Sequence, residues 1–384
     1  MKRLQANKYI YQHEDYPQFT WDHKAILNLL TRVSGQQGRI LGKMQQFGFG
    51  VQQETMLNTL TEEITQSSEI EGEIINSEQV RSSLARRLNI SLDNETTPSH
   101  HIEGVVDAVM DAVRNFNELL TEERLFGWHG VLFPSGRSGL HKIRVAEFRT
   151  GEIHVVSKKG LDEIIHYMAP ENVKEQMTVF LRWLNTKDNE NPLLKAAIAH
   201  LWFFIIHPFD DGNGRLTRII TEMLLARAEN TYLRFYSMSA QILKERKGYY
   251  QVLKQITTSG LDITPWLVWF LECLSHAIEN SEKTAGKVLQ KAAFWQRNAA
   301  EIPNKLQREI INRLFDGFEG NLTSGKVAKI FEVSQPTAIR TLGDLTAKGF
   351  LEVHGAGRST HYVLAKNVLQ PFEEQQQRQM VAQA

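Results

Sequence analysis

The chain has 384 residues, of which 42% are hydrophobic and 23% are charged, as in ordinary globular proteins of two or three domains. Its 44 basic and 44 acidic side chains balance, which argues against bulk binding to nucleic acid or membrane but permits a local basic patch. The single cysteine, Cys273, excludes an internal disulfide framework and any zinc site built from cysteines. No apolar stretch is long enough for a signal peptide or a membrane span, so we expect a cytoplasmic protein without a membrane partner.

Helical patterns dominate the N-terminal third of the chain. Apolar residues recur at three- and four-residue spacing over 23–46 and 55–66, and a further helix is predicted at 76–90. The polar, breaker-rich segment 89–100 predicts a connection, after which a helical pattern resumes at 101–120. More helices are predicted later in the chain, over 171–185, 191–206 and 261–279.

A short hairpin is predicted between these helical regions. The segment 133–160 is rich in glycine and β-branched residues, which favours two strands around 146–156 with Thr150 and Gly151 near the turn. An isolated two-stranded element is marginal alone, so we expect it to pack on the helices.

A dense polar segment, "HPFDDGNGRLTR" (207–218), follows a helix that is apolar on nearly all sides (191–206). Pro208 disfavours the helical conformation at His207, so the buried helix should end there. The glycines of the segment permit a tight turn, and a second helix begins at once. Because the N-terminus of a helix has free N–H groups and a partial positive charge, the sequence predicts an anion site between the two helices.

The side chains around this turn fit a metal-bound polyphosphate. Arg215 and Arg218 project from similar faces of the first turn and could fork onto phosphate oxygens. Asp211 is placed to hold Mg²⁺, which typically binds through one or two carboxylates plus substrate phosphates. His207 titrates near neutrality and could accept a proton from an attacking hydroxyl. Asn213 could orient the loop or hydrogen-bond a phosphate.

The same segment resembles the signature of the Fic family, in which a histidine, a phenylalanine and an acid precede Gly-Asn-Gly-Arg and a second arginine. The resemblance extends over about 5–365 and implies a Fic-type helical core that transfers AMP from ATP to a hydroxyl side chain of a protein. It implies that His207 is the base, that Phe209 anchors the loop and that Asp211 binds Mg²⁺. The implied phosphate-binding residues are Gly212, Asn213, Gly214, Arg215 and Arg218.

The resemblance also implies roles for the hairpin and for two tyrosines. The hairpin matches the family's flap, which pairs with the target backbone by strand addition. The implied docking residues are Thr150, Gly151, Ile153, His154 and Val155. Tyr249 and Tyr250 are candidates for holding the nucleotide base, and ordinary helix packing is the alternative for both.

The sequence "SSEIEG" (67–72) resembles the family's inhibitory motif. Ser67 and Glu71 are four residues apart and share one helix face. In the family this glutamate pairs with the second motif arginine, here Arg218, and prevents productive placement of the γ-phosphate. A carboxylate on that guanidinium competes directly with phosphate. The resemblance therefore implies a self-inhibited protein whose inhibitory helix, about 55–72, precedes the catalytic core.

The C-terminal region has the pattern of a winged helix-turn-helix, with helices predicted at 305–317, 324–332 and 336–348 before two alternating strands in 350–364. Its candidate DNA contacts are Ser334, Gln335, Thr337, Arg340 and Arg358. Residues 301–366 have nine basic and seven acidic side chains, a small positive surplus. DNA binding and a protein-interaction or dimerisation role both stay open.

The prediction for the whole chain is a mainly α protein in four parts. These are an N-terminal helical module (1–95), the Fic catalytic core (96–285), the winged helix-turn-helix (300–366) and a disordered tail (367–384). The expected function is Mg²⁺-dependent adenylyl transfer from ATP to a target protein or to the chain itself. The alternatives are removal of AMP by the same site, with Glu71 positioning a water, and a DNA-binding regulator that senses nucleotide. A second copy of the chain and DNA are further candidate partners.

Overall fold

The computed structural model forms two compact units, Met1–Ser281 and Glu282–Ala384. The residues that the structure describes are 9–92, 95–153, 167–187, 190–315, 318 and 320–368. None of the described helices is both long and apolar enough to cross a bilayer. The four-part division made from the sequence stays a prediction.

Helices make up most of the first unit, which confirms the mainly α fold class. They are α1 (His23–Gln45), α2 (Phe49–Ile70), α3 (Ser77–Leu88), α4 (His100–Arg114), α5 (Glu122–Leu132), α6 (Pro170–Asn185), α7 (Pro192–Ile206), α8 (Asn213–Glu229), α9 (Met238–Lys244), α10 (Arg246–Thr257) and α11 (Thr264–Asn298), the last of which runs past the division between the units. A 3₁₀ turn at Ile10–Gln12 precedes them, and two short antiparallel strands, β1 (Arg137–Ser138) and β2 (His141–Lys142), follow α5.

Helix α7 lies at the centre of the core of the first unit. All of its residues except Pro192 and Lys195 are buried, as the apolar sequence predicts. It packs against α6 and α8, and the indole N–H of Trp266 donates a hydrogen bond to the Ala197 carbonyl at 2.8 Å. Because each buried large apolar side chain contributes about 1.5–3 kcal/mol, α7 is a firm support for the loop that follows it.

Helix α2 is longer than the 55–66 predicted from periodicity. It begins after Gly48 and continues to Ile70, where Gly72, at φ 83°, takes the left-handed conformation that commonly ends a helix. Ser67 therefore lies in the last turn of α2, and Glu71 is the C-cap residue.

The hairpin expected around 146–156 is only partly covered by the structure. Residues 146–153 are described and form no strand, so this part of the prediction is wrong, while 154–156 lie outside the described residues. The strands β1 and β2 lie earlier in the segment and pair through Arg137 with Lys142 and Ser138 with His141. Gly139, at φ 55°, provides the positive φ at the start of their two-residue turn.

In the described part of the second unit, three helices and a hairpin follow the end of α11, in the order that the sequence predicts. The elements are α12 (Lys305–Phe315), α13 (Ser324–Ile330), α14 (Gln335–Ala347), β3 (Leu351–His354) and β4 (His361–Leu364), with β3 and β4 antiparallel. Their core includes Ile311, Leu342 and Leu351. Ser334 caps α14 by accepting a hydrogen bond from the Thr337 N–H at 3.3 Å. The winged-helix assignment and the DNA contacts stay predictions.

Candidate functional site

The chain turns sharply at the end of α7, at the residue that the sequence predicts. His207 adopts φ 49° and ψ 62°, and its N–H still donates to the Phe203 carbonyl at 3.0 Å. The left-handed conformation is uncommon for a residue other than glycine, so surrounding contacts must hold it. Pro208, the next residue, disfavours a helical alternative.

The imidazole of His207 is held in one tautomer by its neighbours. Nδ1 lies 3.3 Å from the Phe204 carbonyl oxygen, so it is assigned as the N–H donor, and Nε2 keeps its lone pair. The ring of Tyr167 stacks on the imidazole with 3.6 Å between the ring centroids. Burial lowers the pKa of His207 to about 3, so the expectation that it titrates near neutrality is wrong for this arrangement, and the imidazole is neutral at pH 7. Nε2 therefore presents a lone pair at pH 7, although burial makes it a weaker base than an exposed imidazole.

The loop after His207 is locked by Phe209 and Asn213. Phe209 is fully buried, as predicted for an anchor. The side chain of Asn213 makes two hydrogen bonds to the Phe209 backbone. Its Oδ1 accepts from the Phe209 N–H at 2.9 Å, and its Nδ2 donates to the Phe209 carbonyl at 2.7 Å. Of the two roles expected for Asn213, its side chain performs loop orientation, and both ends of its amide are engaged within the loop.

His129, on α5, supports the loop and was not found by sequence reasoning. Its ring stacks on Phe209 with centroids 4.1 Å apart. Nδ1 accepts from the Ala146 N–H at 3.0 Å, and Nε2 lies 3.2 Å from the Asp211 carbonyl oxygen. Burial lowers the pKa of His129 to about 4, which keeps the ring neutral and suited to accept at one nitrogen and donate at the other.

Asp211 is the candidate metal ligand. One carboxylate oxygen accepts a hydrogen bond from the Ser138 hydroxyl on β1, and the other accepts from the Gly212 N–H at 2.6 Å. Among the described residues, no group of three or more histidine, cysteine or acidic side chains could hold a metal on its own. A single carboxylate still fits Mg²⁺ that reaches the protein with a polyphosphate, because phosphate oxygens and water supply the other ligands.

The N-terminus of α8 is already in contact with an anion from the same chain. A Cβ atom added to Gly214 would lie 2.0 Å from Oε1 of Glu71, so this carboxylate rests directly on the first turn of the helix. The same oxygen accepts a hydrogen bond from Nη2 of Arg218 at 2.7 Å. Nε and Nη2 of Arg218 also donate to the hydroxyl and carbonyl oxygens of Ser67, both at 2.8 Å. The structure therefore brings Ser67, Glu71 and Arg218 together, as the sequence predicts.

Arg218 keeps its charge in this buried position. Burial acts to lower the pKa of its guanidinium. The charge of Glu71, with smaller contributions from Tyr249 and Tyr250, outweighs this effect, so the net pKa is raised. A permanently charged guanidinium that is only 3% exposed needs an anionic partner. Glu71 is that partner in this structure.

A buried carboxylate one turn before Ser67 anchors α2. Glu63 is 3% exposed and accepts from the Ser237 hydroxyl at 2.7 Å, from the Ser239 N–H at 2.9 Å and from the Ser239 hydroxyl. These groups belong to the start of α9, where a negative charge is favoured. The docking of Glu71 thus depends on contacts that lie well inside the first unit.

Arg215 is held by a glutamate that the sequence analysis did not single out. Its Nη1 donates to Oε2 of Glu73 at 2.8 Å, and its guanidinium lies over the ring of Phe133, 4.9 Å from the centroid. The other oxygen of Glu73 lies 2.9 Å from Nε2 of His101. His101 and Arg215 lower the pKa of Glu73 by hydrogen bonding and charge, which outweighs its partial burial.

The two candidate base-binding tyrosines have different surroundings. Tyr249 is 1% exposed, and its hydroxyl lies 2.9 Å from Nε2 of His200, as in the alternative of ordinary helix packing, so base binding by Tyr249 stays a prediction. It belongs to the core face of α10. Tyr250 is half-buried, with the guanidinium of Arg246 5.8 Å from its ring centroid. Base binding by Tyr250 stays a prediction.

The predicted target-docking residues are described only in part. Thr150 is exposed, Gly151 and Ile153 are described outside any strand, and His154 and Val155 lie outside the described residues. The Gly151 carbonyl accepts from Nη1 of Arg149 at 2.9 Å.

Three features together define a Fic-type site. They are the buried helix α7, a histidine with left-handed backbone conformation, and an anion-binding turn at which a second helix begins. Comparison with known proteins agrees: residues 119–225 match the sequence model of the Fic/DOC family, and residues 9–90 match a domain of unknown function, DUF4172. The chain therefore contains a Fic/DOC family domain over residues 119–225.

Named relatives align with parts of the chain. The Protein adenylyltransferase Fic of Nematostella vectensis is 35% identical over 115 residues, which are 29% of this chain and 25% of that protein. The protein of the same name from Aedes aegypti is 27% identical over 216 residues, 55% of this chain and 39% of its own length. The chain thus spans less than half the length of either relative. A Fic family protein of known structure from Desulfovibrio desulfuricans has a TM-score of 0.56 at 21% identity, covers 91% of this chain and 98% of its own, and shares the fold.

Replacing Gly212 by alanine should destabilise the loop. Gly212 has φ 82°, and an added Cβ would lie 2.6 Å from the ring of Phe133. The left-handed conformation and the overlap together should lower the free energy of unfolding by roughly 2–4 kcal/mol. Urea unfolding measures the change. The matched control is Gly127→Ala at an exposed position of α5, where nothing lies within 4 Å and a gain of up to about 1 kcal/mol is expected. Equal stability of Gly212→Ala and wild type would contradict the strain argument.

Proposed function

We propose that the chain is a protein adenylyltransferase that transfers AMP from ATP to a hydroxyl side chain of a protein. The observation that carries the proposal is the contact of Glu71 with Gly214 and Arg218, because an internal carboxylate there marks a site built for an anion. His207, with a free Nε2, begins the same loop. The names of the Nematostella and Aedes relatives support the same activity.

The proposed reaction is an in-line displacement at the α-phosphorus of ATP. The hydroxyl oxygen of the acceptor forms a bond to this phosphorus, the bond to the diphosphate breaks, and the hydroxyl proton passes to Nε2 of His207. The products are the AMP-modified protein and diphosphate. The backbone N–H groups at the start of α8 and the guanidinium of Arg215 bind the phosphates once the site opens. Positioning and charge stabilisation supply the rate enhancement.

Mg²⁺ is the metal proposed for this site, with Asp211 as its protein ligand. When bound with the phosphates, it would neutralise part of the charge that develops on the diphosphate leaving group. Ser138 and the Gly212 N–H hold the Asp211 carboxylate at the turn.

We further propose that Glu71 inhibits this activity. Its carboxylate and the γ-phosphate of ATP are alternative ligands of Arg218, so one must leave before the other binds productively. In this closed arrangement the binding of ATP costs the free energy of separating Glu71 from Arg218. Removing the carboxylate should therefore increase turnover.

His207→Ala should abolish transfer of label from ATP that is labelled on the α-phosphate. Loss of a general base typically costs 10²- to 10⁴-fold in rate. The acceptor in the assay is the chain itself, in the Glu71→Gly background, and incorporation into protein is measured by gel autoradiography. His100→Ala, which removes an exposed histidine, is the control and should label normally. Undiminished labelling of the His207 variant would exclude His207 as the base.

Glu71→Gly and Glu71→Gln should each increase self-labelling. A charge-assisted hydrogen bond is worth about 1.5–3 kcal/mol, so an increase of roughly 10- to 100-fold is expected. The glutamine variant separates loss of charge from altered geometry at the helix end. Glu69→Gln, which removes an exposed charge from the same turn, is the control. A fall in labelling would overturn inhibition by Glu71 and favour removal of AMP, with Glu71 positioning a water.

A further inference from the structure

Arg149 is a buried arginine that caps the helix carrying His207. Its side chain is only 2% exposed, and Nε donates to the His207 carbonyl at 2.6 Å while Nη2 donates to the Ile206 carbonyl at 3.3 Å. The last carbonyls of a helix have no partner within it, and a cation there also matches the negative end of the helix dipole. The N–H of Arg149 donates to the Pro208 carbonyl at 2.8 Å, which adds a backbone contact to the same turn.

The same guanidinium also holds two neighbouring segments against this turn. Nη1 donates to the Gly151 carbonyl at 2.9 Å, and Nη2 donates to the Met168 carbonyl. Tyr167, next to Met168, is the residue whose ring stacks on the imidazole of His207. Four carbonyl oxygens are thus gathered around one planar group, an arrangement that the five N–H donors of a guanidinium satisfy and a lysine ammonium does not.

We propose that Arg149 is a positioning residue for the base of the proposed reaction. It holds the backbone of His207 in the left-handed conformation and holds Tyr167 against the imidazole, and both contacts set the direction of Nε2. An error of about 1 Å in the placement of a reacting group can cost about 100-fold in rate. This inference rests on the proposed function, because it concerns the step in which His207 accepts the proton.

The test compares Arg149→Lys with its parent in the Glu71→Gly background. We expect self-labelling at saturating ATP to fall about 100-fold, while the Kd for ATP, measured by calorimetry, changes by less than about threefold. A merely structural role would reduce labelling and nucleotide binding together, in proportion to the unfolded fraction. Thermal unfolding of each variant establishes that it is folded at the assay temperature.

The matched control is Arg234→Lys. Arg234 is also fully buried, but its guanidinium pairs with Glu222 at 2.9 Å and Glu229 at 2.5 Å, not with the carbonyls around His207. It should lose stability without a selective loss of labelling. Normal labelling by Arg149→Lys, or an equal loss in the folded Arg234 variant, would overturn the positioning role. Absence of labelling in the Glu71→Gly parent would instead overturn the proposed transferase.

A different observation concerns Glu73, two residues after the inhibitory glutamate. Helix α2 ends in a Schellman motif, because the Gly72 N–H donates to the Glu69 carbonyl at 2.9 Å and the Glu73 N–H to the Ser68 carbonyl at 3.0 Å. This turn brings Glu73 back to α8, where it binds Arg215 at 2.8 Å.

We infer that Glu73 is a second inhibitory carboxylate, directed at the other phosphate-binding arginine. Glu71 and Glu73 engage Arg218 and Arg215 separately, so ATP must displace both. Nε of Arg215 is buried and has no hydrogen-bond partner within the part of the chain that the structure describes, which leaves a donor for a further anionic oxygen. The inference deepens the proposed function by extending inhibition to the first arginine.

Nucleotide affinity provides a test that does not require transfer. Glu73→Gln should lower the Kd for ATP by roughly 3- to 30-fold, and the double variant with Glu71→Gln should bind more tightly than either single variant. Glu69→Gln, exposed in the same turn, should leave the Kd unchanged. An unchanged or higher Kd in a folded Glu73→Gln protein would overturn this inference alone. Failure of every variant to bind ATP would overturn the proposed nucleotide site as well.

Discussion

The first turn of α8 attracts an anion, and the carboxylate of Glu71 meets that requirement from within the chain. The N–H groups at a helix start and the buried guanidinium of Arg218 both need a negative partner. Oε1 of Glu71 lies against Gly214 and 2.7 Å from Nη2 of Arg218, so one oxygen serves both. A phosphate could take the same place, so the position of the Glu71 carboxylate indicates where an external anion would bind.

This contact depends on a rigid framework. Helix α7 is buried along almost its whole length, and its end is closed by the left-handed turn at His207. The side chain of Asn213 and the stacking of His129 on Phe209 hold the loop between α7 and α8. On the opposite side, Glu63 fixes α2 to the start of α9. Both sides of the contact between Glu71 and Arg218 are therefore held by other contacts within the protein.

Residue patterns alone predict the local features of this site better than its long-range pairs, and the pairing of Glu71 with Arg218 was expected only through the resemblance to the Fic family. The end of α7 could be predicted because Pro208 acts on its neighbour alone. The burial of Tyr249 was predictable in principle, because it shares its face with other buried residues at helical spacing, namely Val252, Leu253 and Ile256. Arg215 lies 142 residues from Glu73, and His207 lies 58 residues from Arg149, and no pattern near Glu73 or Arg149 indicates these two contacts.

The placement of Glu71 on the same chain as Arg218 also determines how strongly its carboxylate would compete with an external anion. A tethered ligand acts at a high effective concentration that dilution of the protein does not change. The effective concentration of the Glu71 carboxylate at Arg218 depends instead on how firmly α2 is held in place, and hence on the hydrogen bonds that Ser237 and Ser239 donate to Glu63. Any event that loosens α2 at Glu63, two turns before Glu71, would weaken the hold of this carboxylate on Arg218 without touching the loop between α7 and α8.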